Sequence, residues 1–121
     1  MRFAEKFIQD FASGEAVFEE GVAGEEMFVV LSGTIEIVKQ GASGPLPVAT
    51  LTKGEMFGEM ALVDSGVRSA GAIAGASGAS VVRIDEARFV YLVSQQPAFG
   101  LSVMRIMARR LAAKPLTEAA V

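Results

Sequence analysis

The sequence contains no cysteine and no histidine. The chain therefore forms no disulfide, offers no cysteine nucleophile and no imidazole base, and lacks the usual ligands of zinc and iron–sulfur sites. An enzyme built from it would have to work with carboxylates, lysine, arginine, serine and a single tyrosine. We therefore expect a protein that is not an enzyme and that holds no metal and no cofactor.

Long apolar runs and blocks of like charge are also missing. No apolar run reaches the length that spans a bilayer, and the first residues, MRFAEKFIQDF, lack the apolar core of a signal peptide. The net charge of −3 argues against a general nucleic-acid binder. With 121 residues, 51% of them hydrophobic, the chain fits one globular domain, residues 1–121. We expect no membrane segment and a cytoplasmic location.

Short β-type segments separated by glycine-bearing turns fill about residues 6–85. The clearest pair is MFVVL and TIEIV in residues 27–39, and the Ser32-Gly33 between them predicts a tight hairpin in which Gly33 has positive φ. QGASGP, residues 40–45, has the composition of a flexible loop. The pattern predicts a mainly β domain, that is, a sandwich, barrel or jelly roll. Further strands are predicted at residues 6–11, 16–20, 47–52, 68–74 and 80–85.

Two helices are predicted after the strands, over about residues 86–113. Asp85 is a plausible N-cap of the first helix, and Pro97 fits the first turn of the second, which should stop before Pro115. Arg109, Arg110 and Lys114 suit the C-terminal end of the helix dipole. The second helix is apolar over most of its circumference, so either it packs deeply against the β domain or a partner helix or a ligand covers its second face.

The segment FGEMALVDSGVRSA, residues 57–70, combines glycine, acid, base and hydroxyl. Gly58 can turn the chain before a helical turn that starts at Glu59. Arg68 offers a charged fork and Ser69 a hydroxyl to phosphate oxygens, while Glu59 can accept a hydrogen bond from a sugar hydroxyl. The set suits a nucleoside cyclic monophosphate. The alternative is an ion pair of Arg68 with Glu59 or Asp64 that braces a surface turn.

These residues also carry a resemblance to a known family. FGEMALVDSGVRSAGAIA resembles the phosphate-binding cassette of cyclic nucleotide-binding domains, such as the effector domain of catabolite activator proteins. FASGEAVFEEGVAGEEMFVVLSGTIEIV resembles the early strands of that family, and IDEARFVYLVSQQPAFGLSVMRIMARRLA its two C-terminal helices. The resemblance covers most of the chain. It implies an eight-stranded β-roll, or jelly roll, closed by short α-helices.

The resemblance also implies site residues. Those expected at the phosphate and ribose are Gly58, Glu59, Met60, Ala61, Arg68, Ser69 and Ala70. Among them, Glu59 would accept the ribose 2′-hydroxyl and Arg68 would pair with the cyclic phosphate. Residues expected in the apolar wall near the base are Ile37, Val48, Ala49 and Leu51. Val67 and Gly71 depart from residues common in the family, but neither removes a polar contact to the ligand.

The resemblance implies a cyclic nucleotide sensor in which ligand binding repositions the C-terminal helices. Ser69 could serve cyclic AMP or cyclic GMP, and its resemblance to the serine of bacterial cyclic AMP binders favours cyclic AMP. Candidates for the lid are Arg105, Met107, Arg109 and Leu111, and the 98–112 helix is a candidate surface for a homodimer or an effector.

We expect no DNA-binding domain in this chain, which can be a free-standing sensor or an excised effector domain of a regulator or channel. Two rivals are a ligand-free structural or dimerisation module of the same fold and, ranked last for want of histidine, a cupin-like enzyme.

Overall fold

The structure, a computed structural model, describes residues 7–64 and 66–113. Strands come first and the longer helices last, which confirms a mainly β domain with C-terminal helices. The predicted helix stop before Pro115 lies outside the described residues. In chain order the elements are β1 (Ile8–Phe11), β2 (Ala16–Phe18), β3 (Met27–Gly41), β4 (Gly44–Leu51), β5 (Met56–Phe57), α1 (Glu59–Asp64), β6 (Gly71–Ile84), α2 (Glu86–Gln95) and α3 (Pro97–Ala113).

The strands form one antiparallel sheet with the order β1-β6-β3-β4. β2 also pairs with β6, and β5 pairs with β3. The sheet is not closed into a barrel. The described residues form six strands rather than the implied eight, because segments predicted as separate strands continue as the long strands β3 and β6.

The predicted hairpin at Ser32-Gly33 is wrong. β3 runs through this dipeptide, and its register against β6 shifts on either side of it. Gly33 has the expected positive φ, 74°, but the glycine serves a close crossing, since a Cβ there would lie 2.0 Å from the carbonyl oxygen of Gly78. Gly78 itself has φ 77°. The two glycines therefore let β3 and β6 bend together without reversing the chain.

The segment predicted as a flexible loop, residues 40–45, is instead the tip of a hairpin. β3 extends to Gly41 and β4 begins at Gly44, with Gly41 and Gly44 paired in the ladder. Only Ala42 and Ser43 connect the strands, and Gly44 has φ 119°. The loop prediction was wrong because glycine-rich composition suits tight hairpin connections as well as mobile loops.

Two apolar clusters hold the fold together. The first lies within the bent sheet and has Phe28, Ile35 and Phe57 as its largest fully or nearly fully buried side chains. The second joins the sheet to the helices through Met27, Leu62, Ile84 and Val103, with Phe89, Leu92, Phe99 and Met107 packed around them. The second cluster fixes the C-terminal helices against α1 and the end of β6, and the candidate site lies at the start of α1.

The two C-terminal helices begin as predicted. Asp85 caps α2 by accepting a hydrogen bond from the Arg88 amide at 2.9 Å, and α3 starts at Pro97. One stripe of α3 is covered, since Val103 is 1% exposed, while Leu101, Met104 and Leu111 on the other stripe are 39–61% exposed. Among the described helices, none has the length and apolar character needed to cross a membrane.

Candidate functional site

Gly58, Glu59 and Arg68 lie together where β5 meets α1. β5 ends at Phe57, Gly58 turns the chain with φ 79°, and α1 begins at Glu59. Arg68 returns from the segment before β6, and its Nη1 donates a hydrogen bond to the Gly58 carbonyl oxygen at 3.2 Å. The structure therefore brings together the glycine, the acid and the base that the sequence singled out.

Main-chain bonds fix the position of Arg68. Its amide donates to the Val22 carbonyl at 2.8 Å, and its own carbonyl accepts from the Gly21 amide at 2.8 Å. The next residue towards the N-terminus, Val67, forms a β-bridge with Ala23. The loop between β2 and β3 is thus hydrogen-bonded to the segment that carries Arg68, and this pairing directs the arginine side chain inwards.

The Arg68 side chain is 6% exposed and under-bonded for its charge. Burial lowers the pKa of its guanidinium, and the negative charges of Glu26 and Glu59 partly oppose that decrease. Within the described residues, the buried Nε has no hydrogen-bond partner. A buried cation with an unused donor is costly, so this arginine suits an anion that supplies oxygen acceptors.

Glu59 is held by a residue that the sequence analysis assigned to the helix dipole. Its carboxylate is 1% exposed, and Arg110 Nη1 lies 2.6 Å from Oε1 and 2.7 Å from Oε2. Arg110 Nη2 also donates to the Met56 carbonyl oxygen at 2.7 Å. The alternative interpretation, an ion pair between Arg68 and Glu59, is therefore not the arrangement adopted, because α3 supplies the partner of Glu59. The side chain of Asp64, the other proposed partner, lies outside the described residues.

Arg110 is the site residue that the sequence analysis missed. The expected lid candidates were Arg105, Met107, Arg109 and Leu111, of which Met107 packs in the helix cluster and the other three are exposed. A signal for Arg110 was present, since it follows the buried Val103 by seven residues and the half-buried Met107 by three, both of which are helical spacings. It therefore lies on the covered stripe of α3 and faces the sheet.

The remaining predicted site residues differ in exposure. In the cassette, Ala61 is 6% exposed, Met60 and Ala70 are half-buried, and Ser69 is exposed. Of the predicted base wall, Leu51 is buried and pairs with Ile35, and the half-buried Ile37 pairs with Ala49. Val48 is 58% exposed and is the extra residue of a bulge, because Ile37 pairs with Ala49 while Val38 pairs with Pro47.

A pocket of about 520 Å³ lies beside the arginine, lined by residues 23–26 and 85–87. Four of its lining side chains are carboxylates, Glu25, Glu26, Asp85 and Glu86, so it does not suit a phosphate. Glu26 is already ion-paired with Arg83, and Asp85 caps α2. In the part of the chain that the structure describes, no group of three or more acidic side chains is placed to hold a metal ion.

Comparison with known proteins gives a consistent set of relatives. The family model described as cyclic nucleotide-binding domain matches residues 8–96. The chain is 28% identical over 103 residues to the CRP-like cAMP-activated global transcriptional regulator of Mycobacterium tuberculosis, an alignment that covers 84% of this chain and 46% of the regulator. It is 33% identical over 95 residues to the cGMP-dependent protein kinase egl-4 of Caenorhabditis elegans, covering 76% of this chain and 12% of the kinase.

The fold is similar to that of a solved bacterial regulator. The crystal structure of Thermus thermophilus catabolite activator protein superposes with a TM-score of 0.79 at 27% identity, covering 92% of this chain and 53% of that protein. The chain thus spans about half the length of these bacterial relatives and a much smaller part of the kinase.

Proposed function

The chain belongs to the cyclic nucleotide-binding domain family, and on that premise we propose that it is a regulatory domain, not an enzyme, which binds a nucleoside cyclic monophosphate at residues 58–70. The observation that carries the proposal is Arg68, a buried guanidinium with one hydrogen bond to a main-chain oxygen and a buried Nε that has no partner among the described residues. A cyclic phosphate carries one negative charge and two exocyclic oxygens. It would supply the acceptors and the countercharge that Arg68 lacks.

We assign the contacts from the resemblance of residues 57–70 to the phosphate-binding cassette of the family. Arg68 would bind the cyclic phosphate, with the Met60, Ala61 and Ala70 amides and the exposed Ser69 hydroxyl around it. Glu59 would accept the ribose 2′-hydroxyl. It follows Gly58 in the chain, and the Gly58 carbonyl oxygen accepts a hydrogen bond from Arg68, so the acid and the base belong to the same site. The apolar residues Ile37, Val48, Ala49 and Leu51 stay a prediction for the base wall.

We propose cyclic AMP as the ligand in preference to cyclic GMP. Ser69 supports this choice, because it resembles the residue of the bacterial cyclic AMP binders. The M. tuberculosis relative is described as activated by cyclic AMP, whereas the C. elegans kinase is described as dependent on cyclic GMP. The titrations below therefore include both nucleotides.

Arg110 provides a physical link between this site and α3. It holds both oxygens of Glu59, so a sugar hydroxyl that reaches Glu59 must share the carboxylate with Arg110 or displace it. A carboxylate has about four acceptor sites, and the ligand can therefore change this ion pair without abolishing it. We propose that this change biases the position of α3. Its size is limited to the difference between the ligand's affinities for the two helix positions.

The exposed stripe of α3 supports a role in assembly. Leu101, Met104 and Leu111 are exposed along the 98–112 helix, which we propose as the surface for a second copy or an effector domain. If the chain bound no nucleotide, this stripe would favour the second candidate function, a structural or dimerisation module of the same fold. A cytoplasmic location stays a prediction.

Calorimetric titration tests the proposal directly. The domain is titrated with cyclic AMP and cyclic GMP, together with Arg68→Ala and, as a matched control, Lys53→Ala at an exposed loop position. Each charge-assisted hydrogen bond contributes about 1.5–3 kcal/mol, so Arg68→Ala should weaken binding by at least about tenfold. Lys53→Ala should bind as the wild type does.

A second ligand examines Glu59 on its own. A 2′-deoxy cyclic nucleotide should bind more weakly than its parent to the wild type, and the two should bind equally to Glu59→Leu, whose side chain has no oxygen to accept the 2′-hydroxyl. An absence of heat with both parent nucleotides, together with an unchanged melting temperature, would refute the sensor and leave the interaction module. Binding that Arg68→Ala leaves intact would refute the assigned site.

A further inference from the structure

Arg68 lies on a floor of aromatic rings. Its guanidinium carbon is 4.1 Å from the ring centroid of Phe18 and 5.8 Å from that of Phe28. The Phe18 ring in turn packs against Phe28 at 5.8 Å and Phe57 at 5.9 Å, and the last two rings stack at 5.2 Å. Because these rings come from β2, β3 and β5, three strands fix the position of Phe18 beneath the arginine.

The Gly24 backbone packs closely against the Arg68 guanidinium. A Cβ at this position would lie 2.2 Å from Arg68 Nε, 2.5 Å from the guanidinium carbon and 2.6 Å from Nη2. The Gly24 backbone is anchored by its amide, which donates to the Gly66 carbonyl oxygen at 3.3 Å. Glycine is therefore required here by the space that the guanidinium occupies, and any larger residue would push the arginine out of its place.

We infer that Phe18 is a positioning residue for Arg68. The Phe18 ring on one side and the Gly24 backbone on the other form a slot, and this slot holds the guanidinium in the position from which it would bind the phosphate. The inference rests on the proposed function, because the cation that the slot holds is the one assigned to the ligand. Phe18 acts through Arg68 and is not itself placed against the nucleotide.

The chemistry of the two walls explains the unused donor. A carboxylate hydrogen-bonded to Arg68 would hold the cation by accepting its N–H donors and would occupy the positions that an anion needs. An aromatic face attracts the cation through its quadrupole and accepts no N–H bond in the plane of the guanidinium. The slot therefore fixes the position of Arg68 while its charge is kept, and the buried Nε is left without a partner among the described residues.

Nuclear magnetic resonance of labelled arginine side chains tests the slot without any ligand. The Arg68 Hε signal is assigned by its loss in Arg68→Ala. We expect it upfield of the other arginine signals, because the guanidinium lies over an aromatic ring, and slow to exchange with solvent, because Nε is buried. Phe18→Leu should return it to the ordinary position and speed its exchange, whereas Phe18→Tyr, which keeps the aromatic face, should preserve the wild-type signal.

Calorimetry on the same variants tests the consequence for binding. Phe18→Leu should weaken cyclic nucleotide binding by about two- to thirty-fold, the range that cation–π contacts span, while Phe18→Tyr should stay within about twofold of the wild type. Gly24→Ala should also weaken binding without altering the aromatic floor. If Phe18→Leu does not fold, Phe18→Met replaces it as an apolar side chain of similar volume without a ring.

The two arms separate the possible failures. An Hε signal that Phe18→Leu does not move overturns the inference, and so does unchanged affinity in that variant while Arg68→Ala loses binding. Equal losses in Phe18→Leu and Phe18→Tyr also overturn it, because packing rather than the aromatic face would then matter. A wild type that binds no cyclic nucleotide removes the proposed function, and the resonance arm then still decides whether Phe18 holds Arg68.

Discussion

The ion pair between Glu59 and Arg110 should be strongly coupled, and removing both partners should cost less than the sum of the two single removals. We consider Arg110→Met, Glu59→Gln and the double variant. Arg110→Met leaves a carboxylate that is 1% exposed without the Nη1 donor at 2.6 and 2.7 Å. It also removes the bond from α3 to the Met56 carbonyl oxygen.

The expected cost follows from the burial of the two partners. Breaking a fully buried ion pair from one side costs about 3–5 kcal/mol, because a buried charge is left uncompensated. The Arg110 side chain is 38% exposed, so water can reach part of the site. We therefore expect Arg110→Met to lower the free energy of unfolding by about 2–3 kcal/mol. Glu59→Gln leaves a charge that solvent can reach and should cost about 1 kcal/mol.

The double variant leaves no unpaired charge. It should lose only about 1–2 kcal/mol of unfolding free energy, which is less than the sum of the single effects by about 2 kcal/mol. For a domain of this size, each kcal/mol corresponds to about 3–6 °C in melting temperature, so thermal unfolding resolves the difference. Urea unfolding of the same four proteins gives the free energies.

The control is the neighbouring arginine. Arg109 is exposed in the same turn of α3, so Arg109→Met should stay within about 0.5 kcal/mol of the wild type. Additive effects in the double variant, or equal effects of Arg109→Met and Arg110→Met, would show that the pair does not hold α3 to the site.

Two further predictions concern the fold. Gly33→Ala should lower the free energy of unfolding by about 3 kcal/mol or more, because its Cβ would lie 2.0 Å from the Gly78 carbonyl oxygen in a backbone with φ 74°. Gly54→Ala, with φ 90° but no atom within 4 Å, should cost only about 1–2 kcal/mol, and equal losses in urea unfolding would contradict the close crossing. Val103→Ala should cost about 2 kcal/mol, since Val103 is 1% exposed between α3 and the sheet. Met104→Ala, at a position 61% exposed, should stay within about 0.5 kcal/mol, and a larger loss in thermal unfolding would mean that this stripe is covered.

Features that depend on nearby residues could be predicted from the sequence. Asp85 as an N-cap and Pro97 as a helix start need only their immediate neighbours, and both predictions are confirmed. The Ser32-Gly33 hairpin was wrong because positive φ serves a turn and a crossing equally well. The choice between them depends on Gly78, which is 45 residues further along the chain than Gly33.

In the candidate site, too, the groupings of residues close in sequence could be predicted, and the contacts between distant residues could not. Gly58, Glu59 and Arg68 lie close in sequence, and the composition of their segment indicated their grouping. Arg110 is 51 residues from Glu59, and the sequence alone does not show which polar side chain of α3 turns towards α1. Likewise, the slot around Arg68 depends on Phe18 and Gly24 from another part of the chain, and no local pattern marks a ring or a missing Cβ as the neighbour of an arginine.

The central position of β6 has a consequence for the order in which this protein forms during synthesis. β1, β2 and β3 all pair with β6. Ile8 therefore cannot pair until Val82 has been synthesised, and Met27 cannot pair until Ile84 has been synthesised. A ribosome releases the first three strands well before their common partner, and their hydrogen-bonding edges stay open for that interval. Folding should accordingly be slow compared with that of a helical bundle of similar length, because the contacts that define the sheet join distant parts of the chain. Nascent chains stalled before residue 84 should therefore be the form of this protein most in need of a chaperone.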